Sequence, residues 1–149
     1  ARLNYIASIS NQGAVRFMLY TQKLTAQVFI VFLERLLRQR TRKLMWIVDR
    51  HPVHRSQAVK DWFAKHAKDI ELFYLPPYSP QLNPAEYLNC DVKQGVHSKS
   101  PSRNQNQLQR RALSHLRKLQ KLPRRIMKYF EHPFIAYATY KMPSQLVPG

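Results

Sequence analysis

Five consecutive apolar residues, LMWIV at 44–48, end abruptly at Asp49. A run this short and this uniformly apolar suits a strand covered on both faces, as in a parallel sheet, rather than one with a wet side. After HPVHR, Ser56 can cap a helix that turns Val59, Trp62 and Phe63 to one side. IELFYL, residues 70–75, is the next strand. Residues 44–75 are therefore one strand–helix–strand unit, normally a right-handed parallel crossover. The fold class that follows is α/β.

The flanks fit around that unit. LNYIASIS and AVRFMLY alternate on either side of the turn signal NQG, so residues 3–20 read as an antiparallel hairpin. Thr25 can cap a helix with Phe29, Phe32, Leu33, Leu36 and Leu37 on one stripe and Arg35, Arg38 and Arg40 off it. Beyond the second strand comes LPPYSPQLNPAE, residues 75–86, with four prolines, no glycine and one charge. Pro76, Pro77 and Pro80 hold this loop extended. Asn83 can cap the next helix, and Pro84 suits its first turn. Glu86 follows Asn83 by three positions, the spacing of a capping box, so a structural reading of Glu86 stands beside a functional one.

Charge narrows the function. The 149 residues carry 25 Lys+Arg against 8 Asp+Glu, a net charge of +17. Such a surface attracts polyanions, with nucleic acid the first candidate. A spanning helix needs about 18 apolar residues, and the sequence has no such run. No signal peptide opens the chain, and a single cysteine, Cys90, forms no intrachain disulfide and fits a reducing compartment. Cys90 reads as a small helix side chain rather than a catalytic thiol. The basic excess is uneven, net +6 over residues 1–91 and net +11 over residues 92–149. Two regions result: a folded α/β part at 1–97 and a basic helical extension at 98–149 that packs on the same domain.

Asp49 and Glu86 belong together in this reading. Ligands gather beyond the carboxyl ends of parallel strands, and adjacent strands lie about 4.8 Å apart. Asp49 ends one strand, while Glu86 opens a helix just past the next. Two carboxylates held close repel unless something positive lies between them. Oxygen ligands suit Mg²⁺ or Mn²⁺, and pairs of such ions cut and join phosphodiesters.

LMWIVDRHPVHRSQAVKDWF followed by IELFYLPPYSPQLNPAEYLNCDVKQ resembles the DDE transposases of the mariner superfamily, especially their bacterial insertion-sequence branch. YSPQLNPAE is the most specific part, and the likeness extends from residue 1 to about 140 through YFEHPFIAYATY. The resemblance implies an RNase H-like mixed sheet with flanking helices and three acidic metal ligands. It also implies cleavage and strand transfer of double-stranded DNA bounded by inverted repeats, and a homo-oligomer working in the bacterial cytoplasm at the nucleoid. By motif match Asp49 is the second ligand and Glu86 the third, with 36 residues between them.

The chain departs from the pattern in three places. Arg50 stands where Asn is frequent, and Asn89 where Trp is frequent. The third departure is larger. The family's first aspartate lies on a strand ahead of the segment that residues 1–20 resemble, and here no acidic residue precedes Glu34. That strand is also the middle of the family's sheet. The expectation is a partial domain with an unpaired central edge, which by itself neither cleaves nor joins DNA. A catalytically inactive DNA-binding remnant is the competing reading, and an RNase H-like nuclease outside transposition is a third.

His51 and His54 flank Asp49. They can touch the scissile phosphate, or remain loop residues, with His54 shaping the turn through a hydrogen bond. Tyr78 and Ser79 read as loop-shaping residues. In 104–121, Leu108, Ala112, Leu116 and Leu119 share one helical face, leaving Arg110, Arg111, Arg117, Lys118 and Lys121 exposed. With Arg124 and Arg125 they are candidate phosphate-backbone contacts, which position DNA without reading its sequence.

Overall fold

The computed structural model describes residues 3–21, 23–98, 101–139 and 145–148. Ala1, which opens the strand-like sequence, and Tyr140, which closes YFEHPFIAYATY, lie outside them.

Strands β1 (Tyr5–Ile9) and β2 (Val15–Leu19) form the antiparallel hairpin, with Ala7 opposite Phe17. Gly13 turns it at φ 90°, where an added Cβ would fall 2.5 Å from the Pro123 carbonyl oxygen. Both the left-handed backbone and the close approach require glycine there. Helix α1 (Ala26–Gln39) starts at Thr25, whose hydroxyl accepts from the Val28 N–H, and buries Phe29, Phe32, Leu33 and Leu36. Strand β3 (Leu44–Val48) leads through a short 3₁₀ turn into α2 (Gln57–Lys65), which Ser56 caps and which buries Val59, Trp62 and Phe63. Strand β4 (Ile70–Tyr74) then pairs parallel to β3, Trp46 opposite Leu72. Helices α3 (Ala85–His97), α4 (Gln105–Gln120) and α5 (Pro123–Tyr129) follow.

The final strand departs from the sequence reading. β5 (Gln145–Pro148) pairs parallel to β3 on the side away from β4, with Trp46 opposite Val147, giving the order β4-β3-β5. β1 lies next to it. The expected unpaired edge of β3 is thus corrected: the carboxyl-terminal segment supplies its ladder partner. The extension after residue 97 is helical only as far as its last short strand. Four residues ending in proline carry no periodic signal, and pairing across about a hundred residues of sequence leaves no local trace.

The sheet lies between two helical layers. Leu44, Trp46 and Val48 of β3 join the buried cluster of α1 and α2, with Phe29, Phe32 and Trp62. Ile47 faces the other cluster, where Val92, Leu108, Ala112, Leu116, Ile126 and Phe130 pack with Ile9 and Val15 of the hairpin. This two-sided covering is what the unbroken LMWIV run anticipates. It also makes α4 and α5 part of the core, since Leu108, Ala112, Leu116, Leu119, Ile126 and Phe130 are all buried. Truncating one of these buried Leu, Ile or Phe side chains to Ala costs about 2–5 kcal/mol.

Among the described residues no helix is long and apolar enough to cross a membrane.

Candidate active site

The site is assembled where β3 and β4 end. The Leu75 N–H donates to the Val48 carbonyl at 2.8 Å, so the ladder continues one residue past the strands. Arg50 crosses to the neighbouring loop, its Nε donating to the Leu75 carbonyl at 3.1 Å and its guanidinium lying 5.7 Å from the Tyr74 ring centre. The Tyr74 hydroxyl donates to the His54 carbonyl at 2.8 Å. These bonds fix the turn after β3 to the end of β4 and set the position of Asp49.

Asp49 is itself held tightly on one oxygen. Its Oδ1 accepts from the His51 N–H at 2.9 Å and from His54 Nδ1 at 3.0 Å. His54 is buried, with its ring 4.6 Å from that of Phe29. The hydrogen bond from His54 is the main cause holding the Asp49 carboxyl below the usual range. Partial burial opposes it, and the His51 N–H and the two imidazoles assist. Asp49 is consequently ionised at neutral pH, with its side chain 54% exposed. His51 caps the following turn, its Nδ1 accepting from the Val53 N–H at 3.1 Å. Of the two readings of His54, the structure shows the hydrogen bond that shapes the turn.

Glu86 is placed differently from a capping box. The Asn83 N–H, which the Glu86 carboxylate would need as donor, bonds the Pro80 carbonyl inside a 3₁₀ turn at Pro80–Leu82. Asn83 Oδ1 accepts from the Ala85 N–H at 3.0 Å, and α3 begins at Ala85. The Glu86 side chain is left exposed in the first turn of α3, with its carboxylate at the positive end of the helix dipole.

Asp49 and Glu86 together line two adjoining cavities. One, of about 160 Å³, is closed by Arg50 and the proline loop from Leu75 to Pro80. The other, of about 250 Å³, runs between Asp49, His51, His54 and Glu86 on one side and Tyr5, Ile6 and Ala7 of β1 on the other. Tyr5 bridges the sides by donating to Asn89 Oδ1 at 2.6 Å. Burial, reinforced by the charge of Glu86, pushes the Tyr5 hydroxyl pKa far up, so it stays a donor. Asn89 thus serves as the acceptor for a hairpin tyrosine. Oxygen donors of this kind suit a hard divalent cation. Among the described residues no group of three or more His, Cys, Asp or Glu side chains converges to hold a metal.

The basic residues divide. Arg110, Arg117, Lys118 and Lys121 share one groove of about 440 Å³ with Leu113 and Ser114 on the outer face of α4. Arg124 is exposed, and Arg111 donates to the Val96 carbonyl at 3.5 Å. Arg125 does something else. Its Nε donates to Asp91 Oδ2 at 2.7 Å, and its Nη2 to Asp91 Oδ1. His115 Nε2 reaches Asp91 at 2.9 Å and the Tyr129 hydroxyl donates to it as well. Burial works against the charge on Asp91, but the bonds from Arg125, Tyr129 and His115 outweigh it and hold the carboxyl low. This clasp ties α3, α4 and α5 together, and sequence reasoning missed it. An arginine in a short basic helix looks the same whether it faces a phosphate or a carboxylate 34 positions away.

Residues 1–109 match the family described as DDE superfamily endonuclease. The structure is similar to the catalytic domain of Mos1 mariner transposase, with TM-score 0.56 and 18% identity, covering 93% of this chain and 74% of that one. It is also similar to the protein of the Mos1 strand transfer complex, with TM-score 0.51 and 20% identity, covering 89% of this chain and 41% of that one. No curated protein sequence matches the chain significantly.

Proposed function

The chain belongs to the DDE superfamily endonucleases, and from that premise we propose that it is the catalytic domain of a DNA transposase, cutting and rejoining double-stranded DNA with Mg²⁺ or Mn²⁺. The observation that carries the reading is the convergence of Asp49, at the end of β3, and Glu86, in the first turn of the helix that follows β4, on shared cavities in a strongly basic chain.

Asp49 and Glu86 are the residues that would hold the ions. When bound, a divalent ion supplies Lewis acidity to the phosphodiester and to the attacking and leaving oxygens of an in-line displacement. The protein's own contribution is positional. His54 and the His51 N–H fix one oxygen of Asp49 and keep the carboxylate ionised. The proline loop and the Pro80–Leu82 turn deliver Glu86 in a stiff frame. The α4 groove would grip the phosphate backbone of the bound duplex.

A third carboxylate would come from outside this stretch of chain, in cis or from a further copy in an oligomeric complex. The eight acidic residues bring only Asp49 and Glu86 to these two cavities. That same fact favours a second reading, in which the chain binds DNA and metal but does not cut. Titration with Mn²⁺, followed by its electron paramagnetic resonance signal, tests what the two readings share. Binding should weaken at least about tenfold in Asp49→Asn and in Glu86→Gln, since losing even a group that only orients a ligand costs about 10- to 100-fold. Mn²⁺ binding unchanged in both variants would reject the site.

A further inference from the structure

Tyr78 is the one described non-glycine residue with positive φ, at 55°, and its side chain is 100% exposed. For a bulky side chain the left-handed region is strained. The ring recovers nothing by packing, so a loop-shaping role does not account for Tyr78. The loop is shaped by its neighbours instead: Ser79 Oγ donates to the Pro77 carbonyl at 3.1 Å, and the Leu82 N–H to the Ser79 carbonyl. Strain that persists beside a functional cleft is a pointer to a ligand. Tyr78 lies on the wall of the 160 Å³ cavity that also contains Asp49, Glu86 and Arg50.

Arg50 is held for a complementary task. Its Nε is engaged by the Leu75 carbonyl and its plane is backed by Tyr74. Among the described residues its terminal nitrogens have no hydrogen-bond acceptor, and Arg50 lines the same cavity. A planar, immobilised guanidinium is suited to a phosphate. An exposed tyrosine ring is suited to the face of a nucleobase, but only a base outside the duplex stack offers its face.

We propose that Arg50 and Tyr78 form a subsite for an unpaired DNA nucleotide next to the carboxylates, Arg50 taking the phosphate and Tyr78 stacking on the base. This rests on the endonuclease reading and adds a preference for frayed or single-stranded ends to it. Such a preference places the substrate's reacting phosphate at a junction between paired and unpaired DNA.

The test compares two labelled duplexes of the same length, one blunt and one with an unpaired end of about three nucleotides containing 2-aminopurine. Anisotropy gives affinity and 2-aminopurine fluorescence reports stacking. The wild-type chain should bind the frayed duplex more tightly than the blunt one and quench the probe. Tyr78→Ala should weaken frayed-end binding roughly 5- to 150-fold, the range for removal of one aromatic stacking partner, while leaving blunt-end binding unchanged. Tyr78→Phe should retain the preference. Tyr78→Gly, which relieves the strained φ, should raise the melting temperature and still lose the preference, separating a ligand role from a structural one. Arg50→Met removes the guanidinium and its bond to the Leu75 carbonyl, and should weaken frayed-end binding more than blunt-end binding. Equal frayed-end affinity in Tyr78→Ala and wild type would overturn the subsite and leave the endonuclease reading standing. Absence of any DNA binding by the wild type, at low salt, would overturn both.

Discussion

Replacing Asp91 with Asn probes the contact that joins the basic helices to the rest of the fold. The Asp91 side chain is 8% exposed and accepts from His115, Arg125 and Tyr129. Asparagine keeps the volume, removes the charge, and turns an N–H₂ toward groups that are themselves donors. Breaking a buried pair by removing one partner costs about 3–5 kcal/mol. Here the Arg125 side chain is 45% exposed and can turn to water, which discounts the cost to about 2–4 kcal/mol. For a domain of this size each kcal/mol is about 2–4 °C, so the melting temperature should fall by roughly 5–15 °C. Gly95→Ala should act on the same network, because its Cβ would lie 2.2 Å from His115 Nδ1 and drive that ring off Asp91. Urea unfolding of the two single variants and the double variant gives the coupling, which should be clearly non-additive. The depressed pKa of Asp91 adds a pH signature. Stabilisation by such a group is complete above its unfolded pKa, about 3.9, and disappears as pH falls below that toward the folded value. Asp91→Asn should therefore show less acid sensitivity than the wild type. A stability change under about 0.5 kcal/mol, the size of an ordinary surface substitution, or strict additivity with Gly95→Ala, would refute the clasp.

Three further outcomes follow from the site and the groove. Affinity for blunt duplex should fall steeply with salt, and Lys118→Gln with Lys121→Gln should reduce the slope of log K against log salt by about 1.8, at roughly 0.9 for each phosphate that is no longer neutralised. A slope unmoved by both changes would remove the α4 groove from the interface, whereas Arg125→Gln should lower stability and leave the slope alone. His54→Ala removes the donor that holds Asp49 and opens space beside Phe29; Mn²⁺ affinity should drop about 10- to 100-fold, as when a group that orients a metal ligand is removed, and retention of wild-type affinity would show that Asp49 needs no support. Incubated alone with a labelled duplex in Mg²⁺ or Mn²⁺, the 149-residue chain should yield no hydrolytic product, and metal-dependent cutting abolished by Glu86→Ala would show that two carboxylates suffice.

Much of this arrangement is legible in the residues because its signals are periodic and local. The stripe of α1, the Val59, Trp62 and Phe63 face of α2 and the buried row Leu108, Ala112, Leu116 and Leu119 of α4 all fall where helical spacing puts them. That Asp49 and Glu86 share a cavity is legible because parallel strands leave their carboxyl ends on one edge. What is not legible depends on distant partners or on backbone angles that the residue type does not advertise. Asn83 and Glu86 have the spacing of a capping box, but a 3₁₀ turn takes the Asn83 N–H first. Left-handed backbone is normally announced by Gly or Asn, and Tyr78 gives no such notice. The pairing of β5 with β3 and the hold of Arg125 on Asp91 each join segments far apart in sequence.

The central claim is that Asp49 and Glu86 hold a divalent ion against bound DNA, and Fe²⁺ substitution measures that without requiring a competent enzyme. Iron at an oxygen-ligand site, supplied with ascorbate and peroxide, generates hydroxyl radicals that cut whatever nucleic acid lies beside it. The wild-type chain should cut a labelled duplex, with scission suppressed by excess Mg²⁺ and abolished in Asp49→Asn and Glu86→Gln, both of which should still bind DNA through the α4 groove. Undiminished scission by the Asp49→Asn, Glu86→Gln double variant would place the metal elsewhere and contradict the account.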